Sequence, residues 1–310
     1  MIQRFKSNGK FLLTGEYLVL KGATALALPL KFGQSMNVEL LDKKENLIHW
    51  DAETPEGHWF SAVLDKNDFS VKNSDDIEKA ERLSNILKQV KSLNNNTFSE
   101  ANDFRFSCHL DFNSQWGLGS SSTLINNISE WANINPYQLL DFTFKGSGYD
   151  IACAKAEGPI FYEINNGPTT NNQPIVKTIN FNPNFKNNLY FIYQGHKQNS
   201  GKEVKAFLDK KKNFDTEVKS ISEISKILPE LQTLSDFCYF IKIHEEIIST
   251  CLELKRLKKY FSDFEGEIKS LGAWGGDFFM AATEWEFEKV KSYFEGKGHN
   301  VIFKYKDIIY

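Results

Sequence analysis

The feature that most limits how this chain can fold is a glycine and serine segment, QWGLGSSST, which runs from Gln115 to Thr123. Gly117 and Gly119 lack a Cβ atom, so the backbone around them can come close to a ligand. Apolar residues then recur at helical spacing, at Leu124, Ile125, Ile128 and Trp131. A helix N-terminus presents N–H groups and the positive end of the helix dipole, which suit phosphate. The segment therefore predicts a phosphate loop that opens a helix.

The same segment also fits a plain helix N-cap, because Ser120, Ser121 and Ser122 are of a residue type that commonly caps helices. Neither of the two better-known nucleotide patterns occurs in the sequence. There is no G-x-x-x-x-G-K followed by Ser or Thr, and GLGSSS lacks the third glycine of a dinucleotide fingerprint. On this segment alone the plain N-cap is favoured, but the other motifs of the chain favour the phosphate loop.

Length and charge limit the class of protein. With 310 residues, of which 41% are hydrophobic, the chain is long enough for two domains with cores of their own. A formal net charge of −3 gives no general attraction to nucleic acid or to an anionic membrane. The four cysteines form no C-x-x-C pair, and no apolar run reaches membrane-spanning length. We therefore expect a cytoplasmic protein whose partner is a small molecule; a monomer and a homodimer both fit.

The N-terminal part predicts two strands around a turn, Phe11 to Leu20 and Gly22 to Leu30. Lys10 precedes the first strand, and Glu16 and Tyr17 lie in its break, so three polar side chains are expected near one edge of a sheet. The alternative for Lys10 is a solvated lysine at a strand end.

A second glycine turn, KGSGYDIACA, carries an acid. Asp150 follows Gly146, Ser147 and Gly148 and precedes a run of small apolar residues. This pattern holds a carboxylate at the mouth of a close-packed element. An Asp N-cap of the following run is the alternative.

The second half of the chain mixes strands and helices. A polar tract after residue 164 indicates a domain boundary, placed near Asn184, which gives domains of residues 1–184 and 185–310. Apolar spacing predicts a strand from Leu189 to Tyr193, a helix over Asp215 to Ile227 and a helix over Glu267 to Leu271. The segment LGAWGGDFFMA then allows a second close approach of the backbone, at Gly275 and Gly276.

Together these motifs resemble those of the GHMP kinases, the superfamily of galactokinase, homoserine kinase, mevalonate kinase and phosphomevalonate kinase. The likeness is carried by NGKFLLTGEYLVLKG, WGLGSSST, GSGYDIA and LGAWGGDFFMA, in that order from Lys10 to Ala281. GLGSSS is the most specific part. The GSGYDIA segment and the GEY of Gly15 to Tyr17 resemble the mevalonate and phosphomevalonate kinase branch.

The resemblance implies an α+β fold of two domains. The N-terminal domain would be of the ribosomal protein S5 domain 2 type and the C-terminal domain ferredoxin-like, with ATP and substrate in the cleft. It gives Asp150 the role of catalytic base, places Lys10 beside the phosphoacceptor oxygen and assigns Ser121 to Mg²⁺. The residues expected to bind ATP phosphates are Gly117, Leu118, Gly119, Ser120, Ser121 and Ser122. The residues expected to bind substrate are Glu16, Tyr17, Ser147, Gly148, His196, Lys197, Ser200, Gly275 and Gly276.

Some positions depart from the superfamily pattern. Asn8 stands where a proline is usual, and Trp274 and Asp277 stand where small residues or glycines are common. The magnesium-binding glutamate of mevalonate kinases has no clear match, with Asp141 the nearest acid. The expected activity is ATP-dependent phosphorylation of mevalonate or 5-phosphomevalonate. The alternative is a catalytically silent protein of the same fold that binds a nucleotide or metabolite in a regulatory or scaffolding role.

Overall fold

The computed structural model describes residues 2–144, 146–165, 173–195, 200–272, 274 and 276–310, without the side chains of 200–202. The chain forms two compact units, and neither is one continuous stretch of sequence. The first contains Met1–Gly9, Phe32–Ser114 and Gly119–Lys155; the second contains Lys10–Lys31, Gln115–Leu118 and Ala156–Tyr310. The predicted domains, 1–184 and 185–310, are continuous stretches of sequence, whereas the two compact units are not. The boundary near Asn184 therefore stays a prediction.

The β-strands of the described residues are, in chain order, β1 (Ile2–Thr14), β2 (Ala25–Leu41), β3 (Leu47–Thr54), β4 (Gly57–Asp65), β5 (Val71–Ser74), β6 (Asp103–Leu110), β7 (Ile160–Glu163), β8 (Ile175–Thr178), β9 (Leu189–Tyr193), β10 (Glu267–Leu271), β11 (Phe278–Ala282) and β12 (Ile302–Lys304). The α-helices are α1 (Ile77–Leu93), α2 (Ser120–Ala132), α3 (Pro136–Thr143), α4 (Tyr149–Lys155), α5 (Ser200–Leu208), α6 (Asp215–Ile227), α7 (Leu234–Leu252), α8 (Phe287–Glu295) and α9 (Tyr305–Ile308).

The first unit has its strands in the order β5-β4-β3-β6-β2, and within this order only β3 and β6 run parallel. Strand β6 buries alternate residues, as its sequence predicts. Asp76 caps helix α1, since its carboxylate accepts a hydrogen bond from the Lys79 N–H. Aromatic side chains dominate the core: the ring of Trp131, on α2, lies 4.9 Å from that of Phe106. The helix carrying the predicted phosphate loop is thereby fixed to the sheet.

The second unit contains a four-stranded antiparallel sheet in the order β10-β11-β9-β12. Helices α5, α6 and α7 connect β9 to β10, and α8 connects β11 to β12. This strand and helix order is that of a ferredoxin-like fold, which confirms the fold expected for the C-terminal part of the chain. In the same unit, residues 25–27 of β2 pair with β7, which pairs with β8.

Two predicted elements differ in the structure. The segment Glu267–Leu271, predicted as a helix, is strand β10, because its backbone pairs with β11 and all five residues are buried. Buried residues on both faces hide the alternation that would have identified the strand. The break predicted after Thr14 contains a 3₁₀ helix, Leu18–Lys21, instead of a continuing strand. In the described part of the chain, no helix has the length and apolar character needed to cross a bilayer.

Candidate active site

Lys10 contacts the first part of the glycine and serine segment. Its backbone N–H donates to the Leu118 carbonyl at 3.0 Å, and its Nζ donates to the Gly117 carbonyl at 2.9 Å. The side chain is half-buried. Lys10 is therefore not a solvated lysine at a strand end: β1 directs its ammonium group to the segment predicted to bind phosphate, 107 residues away in sequence.

Aromatic contacts fix the start of this segment. The Trp116 ring lies 5.5 Å from that of Phe303, 6.2 Å from that of Phe278 and 6.3 Å from that of Tyr193. The Tyr193 hydroxyl donates to the Gln115 carbonyl at 3.2 Å. Aromatic rings at these distances interact favourably beyond the area that they bury. The ferredoxin-like sheet thus holds the backbone of Gln115–Leu118 in place.

Helix α2 begins at Gly119, which has a φ of 102° and serves as the N-cap. Among the described residues, no side chain caps this helix. Ser122 is buried and donates to the Gly119 carbonyl at 2.8 Å, while Ser121 is exposed. The serines therefore do not act as the N-cap, and the first-turn N–H groups lack the side-chain partner that a capped helix would give them.

Replacement of Gly119 by valine is expected to abolish ATP binding. A left-handed φ and a close backbone approach both exclude a β-branched side chain. Calorimetric titration of the folded variant with ATP measures the loss. Gly57→Val is the matched control, because Gly57 also has a left-handed φ, 109°, and an added Cβ there would meet no atom within 4 Å. Unchanged ATP affinity in Gly119→Val would contradict the phosphate loop.

Asp150 lies in the first turn of α4 and is half-buried. The Ile151 N–H donates to its Oδ1 at 3.1 Å, and the Gly148 carbonyl accepts from the Ala152 N–H at 3.1 Å. Helix α4 thus starts before Asp150, so Asp150 is not its N-cap. Burial, with the nearby charge of Asp150, raises the pKa of Tyr137 to about 12. The first unit therefore presents a carboxylate beside a neutral phenol.

Glu16 lies in a fully buried ion cluster. Its Oε1 is 2.5 Å from Lys269 Nζ, and its Oε2 is 3.2 Å from His244 Nε2; the same Lys269 Nζ lies 3.2 Å from Glu245 Oε1. All four side chains are inaccessible to solvent. The structure thus places Glu16 in the interior of the second unit, and its predicted contact with a substrate stays a prediction. Burial by itself would raise the pKa of Glu16, but Lys269 and His244 outweigh it and hold that pKa below its usual value.

Acid should remove the contribution of Glu16 to stability. Its folded pKa is lower than the ordinary 4.5, so below pH 4.5 the unfolded chain binds more protons than the folded one. The stabilisation is therefore complete above pH 4.5 and is lost as the pH falls through the folded pKa. We expect the urea midpoint of Glu16→Gln to fall less steeply below pH 4.5 than that of the wild type. Equal slopes would contradict this role of Glu16.

Tyr17 connects two other parts of the second unit. Its hydroxyl donates to Glu203 Oε2 at 2.8 Å and accepts from the Trp274 N–H at 3.1 Å. Burial raises the pKa of the phenol, so the hydroxyl stays a donor. Tyr17 therefore ties α5 to the third glycine segment. Its predicted contact with a substrate stays a prediction.

The third glycine segment lies against the first part of the phosphate loop. A Cβ atom added to Gly117, whose φ is 67°, would lie 2.0 Å from Oδ2 of Asp277. The Gly276 carbonyl accepts a hydrogen bond from Gln194 Nε2 at 2.8 Å. Lys10, Gly117, Gly272 and Asp277 line one small cleft, with Phe11 and Phe278 as its apolar wall. A cation, a carboxylate and a glycine backbone thus meet in a single space of the second unit.

Solved structures similar to this chain include several small-molecule kinases. Streptococcus pneumoniae phosphomevalonate kinase, in complex with phosphomevalonate and AMPPNP, is 15% identical; the match covers 97% of this chain and 99% of that chain, with a TM-score of 0.71. Methanococcus jannaschii mevalonate kinase is 17% identical over 98% and 97%, with a TM-score of 0.68. Lactococcus lactis galactokinase, complexed with galactose, is 12% identical over 97% and 92%, with a TM-score of 0.65.

The chain has the GHMP-kinase fold. The resemblance found in its sequence motifs is thus confirmed at the level of the fold. A family model described as tellurite resistance protein TehB matches residues 56–161, which is less than half of the chain. No curated protein matches the sequence.

Several predicted site residues of this GHMP-kinase fold lie outside the described residues. These are His196, Lys197 and Gly275, and the side chain of Ser200 is likewise not described; the backbone of Ser200 begins α5. Ser147 is half-buried and Gly148 is buried, directly before α4. The substrate roles of all these residues stay predictions.

Sequence reasoning missed Lys269, Glu245 and His244. The HEE run at residues 244–246 suggests metal binding but lacks the second histidine of H-E-x-x-H. In the part of the chain that the structure describes, no group of three or more His, Cys, Asp or Glu residues could hold a metal ion. The signal that could have indicated this cluster is the presence of charged residues within the apolar sequences of helix α7 and strand β10, since charged residues are rarely buried without a partner.

Proposed function

We propose that this protein is an ATP-dependent kinase that transfers the γ-phosphoryl group to a mevalonate-type acceptor, either mevalonate or 5-phosphomevalonate. The observation that carries the proposal is the hydrogen bond from Lys10 Nζ to the Gly117 carbonyl, because it brings a fixed cation to the predicted phosphate loop. The fold supports it, since similar structures include a phosphomevalonate kinase in complex with phosphomevalonate and AMPPNP.

Phosphoryl transfer requires little covalent chemistry from the protein, since positioning and charge stabilisation supply most of the catalysis. In the proposed mechanism, N–H groups at the start of α2 hold the ATP phosphates. Lys10 stabilises negative charge near the acceptor oxygen and lowers the pKa of its hydroxyl group. Asp150 accepts the proton of that hydroxyl.

A magnesium ion bound with ATP would neutralise charge on the β- and γ-phosphates. The exposed hydroxyl of Ser121, in the first turn of α2, fits as one ligand. The described residues contain no cluster of three or more His, Cys, Asp or Glu residues able to hold a metal alone. In nucleotide sites Mg²⁺ usually takes one or two protein ligands together with phosphate oxygens and waters, and Ser121 would be one such protein ligand.

The preference for a mevalonate-type acceptor rests on the GEY and GSGYDIA segments. Both acceptors carry a carboxylate, and 5-phosphomevalonate adds a phosphate, so each needs cationic or hydroxyl groups for recognition. His196, Lys197 and Ser200 are the residues that we propose for this contact. Fold alone does not choose the acceptor, because the same scaffold accommodates unrelated substrates.

An ADP-release assay with the purified full chain tests the proposal. The acceptors are mevalonate, 5-phosphomevalonate, galactose and homoserine, each with Mg²⁺ and ATP. We expect release stimulated by mevalonate or 5-phosphomevalonate alone. Release with galactose or homoserine instead would refute the acceptor class but not the kinase. Absence of stimulated release with every acceptor would favour the catalytically silent alternative.

A further inference from the structure

Asp277 places its carboxylate directly on the phosphate loop. A Cβ atom added to Gly117 would lie 2.0 Å from Oδ2 and 2.6 Å from Oδ1, so both oxygens lie over this glycine. The carbonyl of the same Gly117 accepts the hydrogen bond from Lys10. Only a residue without a side chain leaves room for the carboxylate here. Gly117 thus permits the approach of Asp277 to its Cα, at the residue whose carbonyl Lys10 contacts.

The backbone holds Asp277 in this position at an energetic cost. Its φ of 33° is on the left-handed side, which non-glycine residues seldom adopt. Its carbonyl accepts from the Gln194 N–H at 2.8 Å, and the side chain of Gln194 holds the preceding Gly276. Strained residues that surrounding contacts over-determine concentrate at functional sites. The end of β9 therefore fixes the carboxylate against the loop.

A fixed carboxylate changes what the loop can bind. Beside the phosphates of a free nucleotide, a negative charge is repulsive. A divalent cation between the carboxylate and the phosphates attracts both and replaces this repulsion with attraction. In nucleotide sites Mg²⁺ commonly takes one or two carboxylates together with phosphate oxygens. Burial and the negative charge of Asp277 together raise the pKa of the Tyr193 phenol.

We infer that Asp277 recognises the magnesium ion carried by the nucleotide, as a ligand or through a metal-bound water, and thereby makes nucleotide binding depend on a divalent cation. The inference rests on the proposed function, since it requires a nucleotide on this loop. It assigns an acid from the third glycine segment to the magnesium ion, for which the sequence offers no clear glutamate.

Calorimetric titration with ADP, with and without MgCl₂, tests the role of Asp277. The quantity compared is the ratio of the two dissociation constants, metal-free over magnesium-bound. Asp277→Asn should lower this ratio about tenfold or more, as loss of groups that support a bound metal commonly does. Metal-free ADP should bind the variant no more weakly than it binds the wild type. Asn has nearly the same shape and tolerates a left-handed φ.

Two further variants complete the test. Asp277→Gly removes the carboxylate and relieves the backbone, so it should lower the ratio as Asp277→Asn does. Asp42→Asn makes the same chemical change at an exposed residue directly after β2 and should leave the ratio unchanged. If both Asp277 variants keep the wild-type ratio of dissociation constants, this inference is wrong, but the proposed kinase activity is not affected. A wild-type protein that binds ADP under neither condition would overturn the proposed function and this inference with it.

Discussion

Replacement of Asp150 by asparagine is expected to lower turnover with mevalonate by at least ~10²-fold, the usual contribution of a general base. The amide has nearly the shape of the carboxylate but does not accept the hydroxyl proton. Turnover is measured by ADP release at saturating ATP and mevalonate. Titration with ADP should give wild-type affinity, since Asp150 is not proposed to bind the nucleotide. Turnover close to that of the wild type would remove Asp150 from the mechanism.

The loss of turnover in Asp150→Asn should differ between the two proposed acceptors. The acceptor atom of mevalonate is a hydroxyl oxygen, which must lose a proton. The acceptor atom of 5-phosphomevalonate is a phosphate oxygen, and the second pKa of a phosphate monoester is about 6, so it is largely ionised at pH 7. We therefore expect a much smaller loss with 5-phosphomevalonate. Asp42→Asn, at an exposed residue directly after β2, serves as the matched control and should retain full turnover with either acceptor.

Replacement of Lys269 by methionine is expected to lower the free energy of unfolding by about 3–5 kcal/mol. Its ammonium group lies between the carboxylates of Glu16 and Glu245, and all three side chains are excluded from solvent. Methionine fills a similar volume, so the expected loss comes from two buried carboxylates that lose the ammonium group of Lys269. Equilibrium unfolding in urea at pH 7 measures the difference.

Lys291→Met is the matched control for this experiment. Lys291 and Glu295 form an exposed pair on α8 with 3.9 Å between Nζ and Oε1. An exposed pair with this spacing contributes no more than ~0.5 kcal/mol. A loss in Lys269→Met as small as that in Lys291→Met would show that the buried cluster is not essential for stability. If Lys269→Met does not fold, Glu16→Gln in the same assay tests the cluster through a smaller change.

Short-range sequence patterns determined the parts of the fold in which neighbouring residues decide the structure. Helix α1 begins after its acidic cap and strand β6 buries alternate residues, two features written in the local sequence because caps and periodicity act over a few residues. The order of the four motifs indicated the GHMP-kinase fold, although composition and spacing alone did not. Segment 115–123 also predicted a loop followed by a helix, which the structure confirms as α2.

Only the tertiary structure decided which side chains meet. Lys269 lies 253 residues from Glu16, and Lys10 lies 107 residues from Gly117, so no local pattern encodes either pair. Strand β10 was predicted as a helix because its pairing with β11 and its burial on both faces come from the sheet. The contact of Asp277 with Gly117 likewise comes from tertiary packing and not from local sequence. These contacts depend on how distant segments pack, and that packing sets burial, charge pairing and backbone strain independently of the residues' neighbours in sequence.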